Sequence, residues 1–427
     1  MRLRRFFLLL GLLSASLTVN LLWAHQGLAN EALSPPKITI INHSGYPDTN
    51  IYLIVTGRVG ANYHHLDWAT GEFPECSADD NTVPVAGQSD LYADYFTTLS
   101  SIKQPDGTYS FPIHQMEGGR VWLSFDKPVY LHINSATAIR EPSTDTTADP
   151  NYQTRFDKLE ITYNALGVTT NTTCVDFFCM PLVFELKDNG ASLGIRGMNR
   201  YQQSVVQALA ADSMLKSLVT PYRVLAPKTT NPSYQSYVPS NYFQPYVDYI
   251  WTNCWQDPGS LQVAAGGYNW TGQISGDVLT MTVDGLGEVH PINKPTNSLD
   301  IFACAGVFNI DTVTFTEGEA RKRDGAIKNE IVSALNRTVM HLATSEWDNR
   351  NRYYQKNGLS DAHYRTNIYS KILHDLAIDK RIYGFPYDEK GEAAKLENQP
   401  ATDIILTINN CKGALSPAPF LLMLLGE

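Results

Sequence analysis

Two carboxylates, Glu160 and Asp176, are the side chains on which chemistry could be built. The segment Phe156 to Asn164, FDKLEITYN, alternates with the period of a β-strand. Leu159, Ile161 and Tyr163 therefore share one face, and Lys158, Glu160, Thr162 and Asn164 the other. Taken alone, that polar row is the solvated face of an antiparallel sheet. Asp176 interrupts the apolar run Cys174 to Phe184, CVDFFCMPLVF, where a carboxylate has to be paired, hydrogen-bonded or functional. Read as two adjacent strands joined by the loop GVTTNTT, the two segments set Glu160 and Asp176 across a shallow groove. Paired carboxylates are the minimum equipment for glycosidic-bond hydrolysis: one protonates the leaving oxygen, and the other activates water or attacks the sugar.

Other constellations are weaker. Gly190-Ala-Ser192-Leu-Gly194 has the GxSxG spacing of a nucleophile elbow, but it follows a KDNG turn and lacks the alternating βα pattern that an elbow needs. His64 and His65 beside Asp67, and His363 and His374 on a predicted helix, match no metal-ligand spacing, so no metal and no cofactor is expected. Asp388 and Glu389 in YGFPYDE read as a turn after a strand. Asn42, Asn171, Asn269 and Asn336 begin N-x-Ser/Thr sequons, which matter only in a glycosylating host.

The elements that must carry these residues fall into two groups. From Lys37 to about Leu186 the chain is a series of short β-rich runs punctuated by Gly, Pro, Asn and Asp. Strands are predicted at Ile51 to Thr56, Arg120 to Phe125, Val129 to Asn134, Phe156 to Asn164 and Cys174 to Leu186. A sandwich or barrel is the natural product. From about Asn199 the pattern turns helical, with helices predicted at about 199 to 217, Gly318 to Leu342 and Ser360 to Ile378. The last carries Tyr364, Ile368, Ile372 and Leu376 at steps of four as its core face. The run Glu319 to Asp324 is read as a solvated face. Strands are expected at Leu279 to Val283, Ile301 to Val307, Ile382 to Tyr387 and Ile404 to Ile408. The expected plan is a β domain over 36–198, with 381–411 as its candidate completion, interrupted by a mixed α/β domain over 199–380. A wide cleft between them would suit a ligand.

The chain has 427 residues, 33 Lys and Arg against 43 Asp and Glu, and a formal charge of -10. That balance opposes phosphate binding and argues against a nucleic-acid partner. Basic Met1 to Arg5 followed by an apolar run to about Ala24 resembles a secretory leader, with cleavage expected after Ala29 and a retained anchor as the alternative. The mature protein is then secreted or periplasmic and holds no stable contact with the membrane. Export places Cys76, Cys174, Cys179, Cys254, Cys304 and Cys411 where disulfides persist, with fifteen possible connectivities. The apolar stretch Phe420 to Leu425 is too short to span a bilayer.

FDKLEITYN, NTTCVDFFCMPLVFEL, LDIFACAGVF and NIYSKILHDLAIDKRIYGFPYDE, in this order, resemble successive motifs of the β-1,3-glucanases of glycoside hydrolase family 64, whose β domain is similar to thaumatin-like proteins. The likeness runs from about Lys37 to Asn410, and the sixteen-residue spacing from Glu160 to Asp176 is that of the family's catalytic pair. It implies an inverting, endo-acting hydrolase of β-1,3-glucan that releases short oligosaccharides, and a monomer is expected. Glu160 is then the general acid, Asp176 the general base, and Thr162 and Asn164 contact sugar. The family's aromatic platform, nine residues after the acid, is replaced by Thr169. The rival expectation is a non-catalytic glucan-binding or defence-type protein on the same scaffold.

Overall fold

In the computed structural model, which describes residues 35–229, 231–316, 318–389 and 394–412, the period-two segments assemble into two main sheets. The leader and the stretch Phe420 to Leu425 lie outside the described residues. One sheet has five strands, in the order Ala191–Gly197, Leu182–Asp188, Asp403–Ile408, Lys37–Asn42 and Tyr109–Pro112. The other has seven. Its path runs Leu396–Gln399, Gly167–Thr172, Arg155–Asn164, Met116–Phe125, Ile51–Val59 and Asn62–His65, and Thr97–Thr98 also pairs with Ile51–Val59. The described residues from Pro36 onward form one compact unit.

Alternation decides which faces meet. Ile51, Leu53 and Val55 lie in register with Phe125, Leu123 and Val121, and Val121 lies opposite Leu159. All are buried, in one apolar core with Ile38, Ile40, Phe184, Leu186, Ile404 and Leu406 of the five-stranded sheet. The strand Asp403–Ile408 runs parallel to Lys37–Asn42 and antiparallel to Leu182–Asp188. Residues from near both chain ends thus complete the sheet.

The section from Gln202 onward is mixed. Asp212 caps Ser213–Lys216 by accepting from the amides of Met214 and Leu215, which splits the predicted first helix into Gln202–Ala210 and this short turn. An antiparallel sheet follows in chain order, Leu261–Ala265, Tyr268–Ser275, Val278–Val283 and Val289–Asn293. The same section holds the helices Gln244–Asn253, Gly318–Asn336 and Ile368–Leu376.

Several expected elements are corrected. Cys174 to Leu186 is not one strand: residues 175–176 bend, Phe177–Phe178 is a two-residue strand, and a regular strand starts only at Leu182. The cause is local, since Pro181 has no N–H and the amides of Cys179 and Met180 are taken by the Asp157 carboxylate. GVTTNTT is mostly strand rather than loop, because residues 167–172 pair with the strand containing Glu160. Ile301 to Val307 is helical at Ser298–Phe302, where Asn297 caps by accepting from Leu299 N. The left-handed Cys304 and Gly306 then exclude a strand. Ile382 to Tyr387 makes a single bridge, Thr173 to Tyr383, before Asp388 draws Gly384 N into a turn.

Helix stripes shift as well. Asn367 caps the last helix, whose buried residues are Tyr369, Ser370, Leu373 and His374, one step away from the predicted Ile368 and Ile372 row. The helix from Gly318 ends at Asn336, and Thr338 follows with a left-handed backbone. Asp324, at the end of the supposed solvated run, is fully buried between His290 Nδ1 at 3.0 Å and Lys328 Nζ at 2.9 Å. All six cysteines, for which export predicts disulfides, are free thiols here, five buried and Cys254 half-buried.

Candidate active site

The strand Arg155–Asn164 and its hairpin partner Gly167–Thr172 form the floor of the candidate site. Asn164 lies opposite Gly167 across a two-residue turn, and that register puts Asn171 directly opposite Glu160. The Asn171 amide donates to Glu160 Oε2 at 2.9 Å, while the Thr170 hydroxyl donates to the Glu160 carbonyl at 2.7 Å. On the other side Arg120 faces Glu160 in register, and its guanidinium is engaged by Glu141. Both neighbours of the acidic side chain are thus fixed.

The parity read from the sequence holds. Leu159 and Ile161 are buried in the core, whereas Glu160, Thr162 and Asn164 on the opposite face are half-buried. Thr162 accepts from Gly118 N at 3.1 Å. Asn164 turns inward on its own hairpin, where Oδ1 accepts from Leu166 N at 2.9 Å as an Asx turn does. Thr169 is opposite Thr162, and its hydroxyl accepts from Asn398 N at 3.0 Å, so the position of the missing aromatic ring is tied to the edge strand Leu396–Gln399.

At its Phe156 end the same face is roofed over. Lys158 is buried, with Nζ 5.7 Å above the Trp122 ring. Arg223 stacks 4.9 Å from Phe156 and 5.4 Å from Phe177. It donates to the carbonyls of Thr144 at 2.8 Å and Asn151 at 3.2 Å. This one guanidinium pins together the loop over the sheet, the floor strand and the segment that follows Asp176.

Asp176 occupies the bend between Gly167–Thr172 and Phe177–Phe178, not a strand, and its side chain is 42% exposed. Lys228 Nζ lies 2.6 Å from Oδ1 and Lys158 Nζ 3.6 Å from Oδ2. Burial works against the charge of Asp176, but the two ammonium groups outweigh it and hold the carboxyl below the usual carboxylate range. Asp176 opens on a cavity of about 310 Å³ lined by Trp122, Glu141, Lys158, Phe177 and Lys228 among others. Glu160 stands on the same strand face as Lys158, one same-face step along, about 6.7 Å at strand rise. Lys158 therefore separates the two carboxylates.

Asn171 and Lys228 were not picked out as site residues from the sequence. The hairpin turn would have revealed Asn171, since a two-residue loop fixes the register; nothing local marks Lys228. The other candidates take structural places. Ser192 is exposed on the edge strand Ala191–Gly197, with no helix directly after it. His374 is buried between Asp388 Oδ2 and the Lys380 carbonyl, each at 2.8 Å. Asp388 is buried and paired with Arg337 at 3.0 Å, while Glu389 is exposed. Among the described residues no group of three or more His, Cys, Asp or Glu is placed to hold a metal, and no helix is long and apolar enough to cross a membrane.

Comparison with known proteins identifies the family and the fold. A curated glucan endo-1,3-beta-glucosidase of Cellulosimicrobium cellulans is 25% identical over 290 residues, which are 64% of this chain and 48% of that protein. The chain thus spans about half the length of this relative. The fold matches the crystal structure of a β-1,3-glucanase domain from Clostridium beijerinckii with a TM-score of 0.72 at 22% identity, covering 88% of this chain and 98% of that one. It also matches the laminaripentaose-producing β-1,3-glucanase of Paenibacillus barengoltzii, with a TM-score of 0.61 at 23% identity and coverage of 90% and 78%. A family model described as β-1,3-glucanase matches residues 35–402, and the chain therefore belongs to glycoside hydrolase family 64.

Proposed function

We propose that this protein is an exported endo-acting β-1,3-glucan hydrolase that works with inversion, Glu160 serving as general acid and Asp176 as general base. The observation that supports the reading is Asp176 beside Lys158, with Glu160 one same-face step along the Lys158 strand, in a chain of this family. In the proposed reaction a glucan chain lies along the polar face of the floor strand, in a cleft of a thaumatin-like β domain. Glu160, oriented by Asn171, gives its proton to the leaving glycosidic oxygen as the C1–O bond breaks. Asp176 takes a proton from the water that attacks C1 from the opposite side. The water needs space between carboxyl and sugar, and inverting pairs are accordingly about 6.5 to 9.5 Å apart. Thr162 and Asn164 border the path of the chain beyond Glu160 and are the proposed sugar contacts. Both proton transfers use carboxyl groups, so the reaction asks for no cofactor.

The test is incubation of the protein with soluble β-1,3-glucan, following new reducing ends and their anomeric configuration by proton NMR. Short oligosaccharides released first as the α anomer are expected. Glu160→Gln and Asp176→Asn should each lower turnover by about a hundredfold or more while thermal melting and glucan binding stay near wild type. Firm binding without products in the wild-type protein would replace the enzyme with a glucan-binding module. β-Anomeric products would exclude inversion.

A further inference from the structure

Asp176 carries two oxygens, and its surroundings treat them differently. Oδ1 is held by Lys228 Nζ at 2.6 Å, a full charge-assisted hydrogen bond. Oδ2 faces Lys158 Nζ at 3.6 Å, beyond hydrogen-bond length. Lys158 is anchored in the floor, over Trp122. Lys228 comes from a segment that runs alongside the Asp176 bend. Leu225 and Val224 pair with Phe177 and Phe178, and Ala226 N donates to the carbonyl of Asp176 itself at 3.0 Å. The lysine is therefore registered to the carboxylate by the backbone as well as by charge.

We infer that Lys228 is a positioning residue for the hydrolytic base: it occupies Asp176 Oδ1 and leaves Oδ2 as the oxygen that binds the attacking water and accepts its proton. The inference rests on the reading of Asp176 as the base. In the step, the water oxygen forms its bond to C1 while one water proton passes to Oδ2. The C1–O bond to the leaving sugar breaks, and that oxygen takes the Glu160 proton. Lys228 keeps its own proton throughout. By removing one lone-pair direction it selects a single approach for water, and by its charge it keeps the carboxylate ionised into the acid range.

The other charged and titratable groups around the pair are accounted for. Glu141 and Asp145 line the same cavity, but Glu141 is spent on Arg120, and Asp145 Oδ2 accepts from the Thr229 hydroxyl at 2.6 Å. Tyr369, on the last helix, donates to the Cys174 carbonyl at 2.8 Å. Cys304 feels Lys228 and is held protonated by burial. Lys158 and Lys228 are thus the two cations that act on Asp176.

The experiment measures pH profiles of kcat and KM on soluble β-1,3-glucan for wild type, Lys228→Met, Lys228→Arg and Asp176→Asn. It adds a carbon-13 NMR titration of the Asp176 carboxyl, which needs no turnover. In Lys228→Met the acid limb of kcat/KM and the Asp176 titration should both move up by about one pH unit or more, as expected when a contacting cation is lost. kcat should fall while KM changes little, and Lys228→Arg should restore the acid limb. An acid limb and a carboxyl titration unmoved in Lys228→Met, with Asp176→Asn inactive, would overturn the role of Lys228 and leave the base in place. An Asp176→Asn variant with near-normal turnover would overturn both.

Discussion

Asp157 offers a test of how the Asp176 bend is held. It points into the core between the two sheets, 3% exposed. Its carboxylate accepts from three backbone amides: Lys158 and Met180 at 2.9 Å and Cys179 at 3.3 Å. Burial pushes its pKa up to about 7 despite the pull of those amides and of Lys158. In the unfolded chain an aspartate titrates near about 4. Between those values the native protein holds a proton that the unfolded chain has released. The contribution to stability is therefore complete below about pH 4 and is lost as pH rises towards 7. Each pH unit is worth about 1.4 kcal/mol, and because the residue is half titrated near pH 7 the step from pH 5 to pH 7 removes about 2 kcal/mol through it.

Asp157→Asn has no such proton to lose. Its side-chain amide offers one oxygen where the carboxyl offered two, so at pH 5, where neither is charged, it leaves a buried N–H without an acceptor at a cost of about 1 to 3 kcal/mol. Urea unfolding of both proteins at pH 5, 6 and 7 should therefore show the variant less stable at pH 5, with the gap closing by about 2 kcal/mol at pH 7. Other titrating groups cancel in the difference. A gap that stays constant across the three pH values would refute the reasoning, because it would mean that Asp157 is ionised in the native state throughout.

Asn171→Ala removes the donor to Glu160 Oε2 and should lower kcat about tenfold, the equivalent of a modest hydrogen bond to a charged group; initial rates at saturating glucan, compared with an unchanged thermal melt, check it. Arg337→Met removes the cation paired with Asp388 Oδ1, leaving the buried carboxylate to His374 and Gly384 N, and should destabilise by about 3 kcal/mol, read as a lowered urea midpoint.

The sequence was most legible where one face of a strand is buried. FDKLEITYN gave the correct faces because Leu159 and Ile161 must lie in the core, and a one-residue slip would have buried Glu160. Asp176 was legible as an anomaly but not in its place. A run of apolar residues looks like a strand until Pro181 and a carboxylate nineteen residues upstream of Asp176, Asp157, compete for its backbone. Ile301 to Val307 failed for the same kind of reason, since Asn297 caps a helix there and left-handed residues end it. The stripe in the last helix slipped because Tyr369 and His374 are amphipathic residues used as core. Lys228 was hidden altogether. Its role depends on a two-residue ladder to Phe177–Phe178, and pairing between segments so distant in sequence leaves no periodicity behind.

The strand Asp403–Ile408, lodged between Lys37–Asn42 and Leu182–Asp188, has a consequence for biosynthesis. During translation the strand nearest the start has its central partner missing until more than 350 further residues have been made. Two open strand edges, both rich in Ile, Val, Leu and Phe, wait through that interval, and such edges are templates for pairing with other chains. A sheet closed by so distant a segment folds slowly for reasons of loop entropy. Holding the chain unfolded until synthesis has passed residue 408 would avoid that hazard, a requirement that export in the unfolded state would meet.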